Sequence, residues 1–311
     1  MIISITQPLA QAWKRMISDL FRPFDIGKWF VVGFTVFLAE LTEGPHHIGY
    51  DGVDKFDKWD FHDFLDTPDI AWEWIMAHTV WAILIGIGIV LLIAFIIFLT
   101  WLSSRGTFMF LDNVVHNRAL VTKPWHQFKK LGNSVFLWRL IFGMIIFILV
   151  ILLIPLILLI AGLFLADVIL AIPIFLIIIL SILTFSTIVL LCYISMFLNN
   201  FVIPIMYIKD LQVLQGWGLF LQLLKKFPGN FILYGIFLFC LHVGVIILVI
   251  IAGLLTCCIG LILLVIPYIN SVLLLPISYT FRAYSLEYLE QFGPEYEIFP
   301  KSMKKKEGQK E

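Results

Sequence analysis

Residues 140–166 read LIFGMIIFILVILLIPLILLIAGLFLA, 27 consecutive positions without a charged side chain. A helix needs about 20 apolar residues to cross the hydrocarbon core of a bilayer, so this run is long enough. The strands of a membrane β-barrel are shorter and alternate apolar with polar residues, which excludes that class. With 61% hydrophobic residues and a mean hydropathy of +1.01, the 311-residue chain is predicted to be an all-α polytopic membrane protein.

The apolar runs predict six membrane spans, because a backbone that crosses hydrocarbon must bond its own polar groups. The first span is short and ends at Glu40 and Glu43. The fourth has no charge across residues 168–208, too long for one upright helix and too short for two with a turn. We therefore expect a tilted helix that is broken near Pro173 and Pro204. The six predicted spans are residues 27–43, 75–101, 135–160, 168–205, 229–254 and 260–284.

The basic residues predict the orientation of these spans. Of the 21 Lys and Arg residues, only Lys55 and Lys58 fall between spans one and two, and the other 19 flank the opposite ends. Positively charged loops stay on the cytoplasmic side of a membrane. Both termini are therefore predicted to be cytoplasmic, and the loop between spans one and two is predicted to lie outside.

Three segments that lead into spans one, three and five resemble one another. They read AWKRMISDLFRPFDIGKWFVVGF, PWHQFKKLGNSVFLWRLIFGM and GWGLFLQLLKKFPGNFILYGIF. Each has a Trp, a short amphipathic stretch with a basic pair, a turn-forming break and then a span. The chain is thus predicted to contain three repeats, each an interfacial helix followed by a helical hairpin. The units are residues 1–112 with an acidic external loop at 44–74, residues 113–210, residues 211–290, and a basic cytoplasmic tail at 291–311.

The three interfacial helices predict contact with an anionic leaflet. Tryptophan prefers the headgroup level of a bilayer, and neighbouring basic side chains attract anionic lipids. The residues expected to contact lipid are Trp13, Lys14, Arg15, Trp125, Lys129, Lys130, Trp217, Lys225 and Lys226.

These segments, with the exit WLSSRGTFMFLDNVV and the terminal RAYSLEYLEQFGPEYEIF, resemble a group of uncharacterised bacterial multi-pass proteins. More distantly they are similar to the membrane domain that precedes some glycerophosphodiester phosphodiesterases, although no phosphodiesterase domain follows here. The resemblance covers most of the chain but not the acidic loop. It implies a bacterial inner-membrane location and carries over no catalytic residue.

The external loop contains the run GYDGVDKFDKWDFHDFLDTPD at residues 49–69, with an aspartate at every third position. Neither a helix nor a strand gathers residues three apart onto one face. Three interpretations are open: a solvated acidic cap, a protein-docking loop, or a divalent-cation site. The last would use some of Asp57, Asp60 and Asp63 with His46, His47 or His62.

Polar residues within apolar spans are costly, so each is a candidate functional residue. Some of them lie in spans that prolines can unwind, and broken helices of this kind line substrate sites in transporters. Packing between helices is the alternative explanation in every case. The candidates are Asn199, Asn200, His242, Asn270, Arg105 and Arg282.

No catalytic constellation, phosphate-binding loop or metal motif occurs in the sequence, so we predict no enzyme activity, cofactor or metal site. The preferred hypothesis is a non-enzymatic membrane protein that interacts with lipid or assembles as a homo-oligomer. The alternative is a transporter or channel for a small solute, ion or lipid that uses the proline-broken spans four and six. Nucleic acid is not an expected partner.

The topology can be tested with single-cysteine variants at Asp60, Trp125 and Lys305, on a background without the native cysteines. An impermeant maleimide is expected to label residue 60 in intact cells, and to reach residues 125 and 305 only after permeabilisation. Protection of residue 60 in intact cells would contradict the predicted orientation.

Overall fold

A computed structural model describes residues 3–41, 76–165, 171–256 and 263–299. Within these ranges the chain is helical, apart from loops and one isolated β-bridge between Phe21 and Phe24. The aspartate run, the Cys257–Cys258 pair and the basic tail at 301–311 lie outside the described residues.

The described helices have widely different lengths. Two helices near the start are short, and several later ones are long enough to cross a bilayer. They are α1 (Thr6–Phe21), α2 (Ile26–Glu40), α3 (Thr79–His116), α4 (Thr122–Gln127), α5 (Lys129–Leu165), α6 (Ala171–Phe197), a π-helical segment (Leu198–Val202), α7 (Ile203–Lys209), α8 (Val213–Lys226), α9 (Pro228–Leu255), α10 (Pro267–Leu273) and α11 (Leu275–Glu290), followed by a 3₁₀ turn (Pro294–Tyr296).

Four helices in the described part of the chain are long and apolar enough to span a membrane. They are Thr79–His116, Lys129–Ile160, Ile172–Lys209 and Pro228–Leu255, which correspond to predicted spans two to five. The predicted first span is the 15-residue α2, and the predicted sixth is divided between α10 and α11. Both are shorter than the roughly 20 residues of a full crossing, so the six-span and hairpin-repeat interpretation stays a prediction.

Three of the long helices carry an apolar band. Large apolar side chains are about half exposed from Val80 to Phe98, from Ile141 to Leu159, and from Ile172 to Leu190. Each stretch has 19 residues, or about 28 Å of helix at 1.5 Å per residue. A helix that is apolar all round and not buried by protein matches a membrane span.

The buried core lies to one side of this band, at the far ends of α3 and α6 and the near ends of α5 and α9. Its centre is a cluster of aromatic rings around Phe201, which stacks on Phe220 and meets Phe231 and Tyr234 at centroid distances of 4.9 to 5.5 Å. Burial raises the pKa of the neighbouring Tyr288 to about 12. Its hydroxyl therefore stays protonated and donates a hydrogen bond to the carbonyl of Asn230.

Helix α1 packs its polar stripe, as well as its apolar one, against α11. The Arg15 guanidinium is 3% exposed and pairs with Glu287 at 2.9 Å, with the ring of Phe299 at 3.7 Å from its central carbon. Asp19 accepts a hydrogen bond of 2.7 Å from the Tyr279 hydroxyl. These contacts join segments about 270 residues apart and hold the two described ends of the chain together.

The end of α3 is joined to α7 in the same way. Asp112 is fully buried and accepts hydrogen bonds from the Arg118 guanidinium at 2.6 and 2.8 Å. The Tyr207 hydroxyl donates to the same carboxylate at 2.9 Å. Because a buried carboxylate is costly unless it is paired, these partners stabilise the connection.

Helices α2 and α3 approach each other closely at Gly106. A Cβ atom there would lie 2.6 Å from the carbonyl carbon of Leu38 and 2.7 Å from the backbone nitrogen of Ala39. Backbone atoms cannot move aside as the end of a side chain can, so the contact requires glycine.

Gly106→Ala is expected to lower the free energy of unfolding by about 1–3 kcal/mol, because overpacking forces the two helices apart. Gly88→Ala in the same helix is the matched control, since nothing lies within 4 Å of its added methyl group. Thermal unfolding in detergent measures both variants. Equal effects would show that α2 does not pack on α3 at Gly106.

Candidate functional site

A cavity of about 760 Å³ lies between the helices, next to the edge of the apolar band. Its walls come from α2, α3, α5, α6, the π-helical segment, α9, α10 and α11. Most of the lining is apolar, but each of these eight elements contributes at least one polar side chain. These side chains are Glu40, Thr100, Arg139, Ser195, Asn199, Asn200, His242, Asn270, Ser278 and Arg282.

The π-helical segment positions the centre of this site, and Pro204 accounts for its hydrogen bonding. The backbone N–H of Ile203 donates to the carbonyl of Leu198, five residues earlier. In a regular α-helix it would donate to the carbonyl of Asn199, four residues earlier. The next possible donor to Asn199 would be residue 204, which is a proline and has no N–H. The backbone carbonyl of Asn199 therefore has no helical donor. It accepts a 2.7 Å hydrogen bond from the Arg282 guanidinium instead.

A second guanidinium, from α5, reaches the same asparagine. Arg139 on α5 donates to the side-chain oxygen of Asn199 at 2.8 Å and to the Ser103 hydroxyl at 3.0 Å. The Ser103 hydroxyl in turn donates to the carbonyl of Ala39 at 2.7 Å. Asn199 thus holds two arginines from different helices in one cavity.

One carboxylate accompanies the two arginines. Glu40, at the end of α2, accepts a 2.8 Å hydrogen bond from the Ser278 hydroxyl. With neutral His242, the charged groups that line the cavity are two guanidiniums and one carboxylate, a net positive charge of one. Positive charge at the edge of an apolar band favours an anionic ligand.

Helices α10 and α11 supply one wall of the cavity. Asn270, Leu274, Ser278 and Arg282 follow each other at intervals of four residues, and all four line the cavity on both sides of the helix break at Leu274. At the end of this row, the side-chain oxygen of Asn270 is buried, with no hydrogen-bond partner in the described part of the chain. The charge of this row, on Arg282, therefore lies at the opposite end from Asn270.

His242 lies on the wall that α9 provides. Its Nδ1 is 2.8 Å from the carbonyl of Leu238, which can only accept, so Nδ1 carries the proton in this contact. The ring packs on Phe281 at a centroid distance of 4.5 Å. This hydrogen bond to its own helix uses one of the two ring nitrogens.

The apolar part of the cavity follows the band. Arg139 lies at the start of the apolar stretch of α5, between exposed Leu137 and Ile141, and Phe142 and Ile146 line the cavity beyond it. Val245 and Ile246 line the facing wall on α9. The charged end of the cavity therefore lies at the edge of the apolar band, and the apolar walls extend along it.

Sequence reasoning identified five of these lining residues, and the structure brings Asn199, Asn200, His242, Asn270 and Arg282 into the one cavity. The sixth predicted intramembrane residue, Arg105, does not line it. Arg139, Glu40 and Ser278 were not among the predicted site residues. Arg139 stands directly before the 27 uncharged residues at 140–166. A charge at the end of a membrane span is common, so this position alone did not mark Arg139 as a site residue.

The comparisons with known proteins give one result. The family model of DUF7544, a family of unknown function, matches residues 3–284. The chain belongs to DUF7544. No curated protein and no solved structure matches it.

Membership in DUF7544 agrees with the resemblance to uncharacterised multi-pass proteins. Nothing in these comparisons ties the chain to glycerophosphodiester phosphodiesterases, so that part of the resemblance is not supported. The function of this DUF7544 protein must therefore be argued from its own residues.

The residues predicted to contact lipid have different environments in the DUF7544 chain. Trp13 is 53% exposed on α1, whereas Trp125 packs edge-to-face on Trp101, and Trp217 stacks on Trp138. For Arg15 the prediction is wrong, because Glu287 and Phe299 bury its guanidinium within the protein. The remaining basic residues, Lys14, Lys129, Lys130, Lys225 and Lys226, are exposed, and their lipid contact stays a prediction.

Asn199→Ala is expected to lower the free energy of unfolding by about 1–3 kcal/mol, because Arg139 loses a half-buried hydrogen-bond partner. Asn200→Ala is the matched control within the π-helical segment, since its side chain makes no hydrogen bond in the described part of the chain. Thermal unfolding compares the two variants, and equal losses would argue against Asn199 as the centre of the site.

Proposed function

We propose that this protein is a non-enzymatic integral membrane protein that binds an amphiphile with an anionic headgroup in the cavity. The observation that carries the proposal is the convergence of Arg139 and Arg282 on Asn199 at the edge of the apolar band. A charged end and long apolar walls match the two parts of a lipid molecule.

The length of the band supports this placement of the ligand. Within the described residues the exposed apolar helix is about 28 Å long, close to the roughly 30 Å hydrocarbon thickness of a bilayer. The band then occupies the hydrocarbon region, and Arg139 lies at the level of the headgroups. A bound headgroup would meet the arginines there while its acyl chain follows Phe142 and Ile146.

The charge of the cavity indicates the kind of headgroup. Guanidinium groups match phosphate oxygens in geometry and donate to two of them at once. Because Glu40 offsets one of the two positive charges, a single negative charge on the ligand would neutralise the lining. A phosphodiester carries one negative charge, so we propose a phosphodiester lipid. The cavity volume falls in the roughly 300–1,000 Å³ range of ligand sites.

Six spans in three hairpin repeats remain our proposal for the architecture. The order of the described helices supports it, because a short helix precedes two further segments three times along the chain, where α6 to α7 and α10 to α11 each count as one segment. The sets begin with α1, α4 and α8. We further propose that both termini are cytoplasmic, that the membrane is a bacterial inner membrane, and that the exposed apolar band permits assembly as a homo-oligomer.

Transport of the same class of ligand is the second candidate. Two helix interruptions support it, since the π-helical segment and the break at Leu274 both line the cavity. Discontinuous helices of this kind form substrate sites in transporters. Movement of fluorescent phosphatidylglycerol between the leaflets of proteoliposomes, lost in Asn199→Ala, would favour transport. Binding without such movement would favour the first candidate.

Arg139→Gln combined with Arg282→Gln is expected to weaken phosphatidylglycerol binding at least tenfold. Each charge-assisted hydrogen bond contributes about 1.5–3 kcal/mol, and 1.4 kcal/mol corresponds to a factor of ten in Kd. Binding is measured by native mass spectrometry of the purified protein, with phosphatidylcholine as the zwitterionic comparison.

The matched control is Arg22→Gln with Lys123→Gln, which removes two exposed charges that are not among the predicted lipid contacts. An equal loss of binding in the control pair would attribute the effect to surface charge, and the cavity proposal would fail.

A further inference from the structure

Arg105 on α3 is a buried cation outside the cavity. It is 8% exposed and donates one hydrogen bond, from Nη2 to the side-chain oxygen of Asn133 at 3.0 Å. Its Nε is buried and has no partner in the described part of the chain. No described carboxylate forms an ion pair with it, in contrast to Arg15 and Arg118, which pair with Glu287 and Asp112.

Two tryptophan rings enclose the Arg105 guanidinium. Its central carbon is 4.3 Å from the ring centre of Trp101 and 4.9 Å from that of Trp125, and the rings meet edge-to-face at 5.7 Å. Gly132 on α5 permits this arrangement, since a Cβ atom there would lie 2.9 Å from Cγ of Arg105. The packing thus holds the cation in place without neutralising it.

The position of Arg105 relative to the apolar band points to the source of an anion. Phe98, the last residue of the band on α3, stacks with Trp101 at a centroid distance of 6.0 Å. Arg105 follows Phe98 by seven residues, about 10 Å along the helix. Aromatic rings therefore lead from the hydrocarbon level to the guanidinium at the headgroup level, where tryptophan is favoured.

The exposed surroundings of Arg105 are polar and basic. Asn133 is exposed, and Lys129 lies one turn before it on the same face of α5, with exposed Lys130 next to Lys129. Ser103, which bonds Arg139 in the cavity, precedes Arg105 by two residues. Two residues turn a helix by about 200°, so the two side chains lie on opposite faces of α3.

We propose that Arg105, with Trp101, Trp125 and Asn133, forms a second site that binds the phosphodiester of an anionic membrane lipid. This proposal depends on the proposed membrane placement but not on the cavity. The lipid phosphate supplies the negative charge that Arg105 lacks, and the acyl chain lies along the band of α3. A free phosphate ion shares the headgroup chemistry, but the aromatic path to Phe98 favours a lipid.

The test is Arg105→Gln in the background of Arg139→Gln and Arg282→Gln, which separates the second site from the cavity. Native mass spectrometry with phosphatidylglycerol as the probe measures the number of lipids bound and their affinity. We expect Arg105→Gln to weaken the remaining binding about tenfold, the effect of losing a charge-assisted contact. Lys123→Gln on α4 is the matched control, because it removes an exposed charge from the same region.

Arg105→Lys serves as a second variant because it retains the charge and fills part of the same space. It is expected to retain folding and to bind phosphatidylglycerol less tightly than wild type but more tightly than Arg105→Gln. Unchanged binding in both Arg105 variants would overturn the proposal, as would an equal effect of Lys123→Gln. Binding of inorganic phosphate at Arg105 without any binding of phosphatidylglycerol would overturn the lipid assignment. Loss of binding only in the Arg139 and Arg282 variants would leave the cavity as the sole site.

Discussion

The missing backbone donor at Pro204 is the constraint from which the arrangement of the cavity follows. It leaves the carbonyl of Asn199 without a partner in its own helix, and a half-buried backbone carbonyl is stabilised by one. Arg282 provides that partner, which ties α11 to the π-helical segment. Because the side chain of the same asparagine also binds Arg139, one local irregularity connects three helices and gathers two positive charges.

The molecule has two regions with different physical organisation. At one end, aromatic packing and buried ion pairs join α1, α3, α7, α8 and α11 into a dense core. Along the apolar band, the long helices expose hydrophobic side chains over about 28 Å and depend on lipid, or on other protein, to cover them. Both proposed lipid sites lie at the boundary between these regions, where polar and apolar parts of a ligand can be satisfied together.

The partners of the arginines decide what each one can do. Arg15 and Arg118 pair with carboxylates, and their contribution is to hold distant segments together. Arg139 and Arg282 both bond oxygens of Asn199, in a cavity that Glu40 also lines. Arg105 is enclosed by aromatic rings, which attract a cation through their quadrupole but do not neutralise it. The same residue type thus serves stability in the first pair and ligand binding in the proposals for the others.

The sequence by itself determined the helical membrane class, since uncharged runs such as 140–166 permit no other structure, and it located the four long spans. It also identified Asn199 and Arg282 as candidate functional residues, because polar groups within apolar runs are costly. Only the tertiary structure decided that these residues share a cavity with Arg139, and that Arg15 faces Glu287 instead of lipid. Those contacts join residues 60 to 272 positions apart, and helical periodicity carries no information on which helices become neighbours.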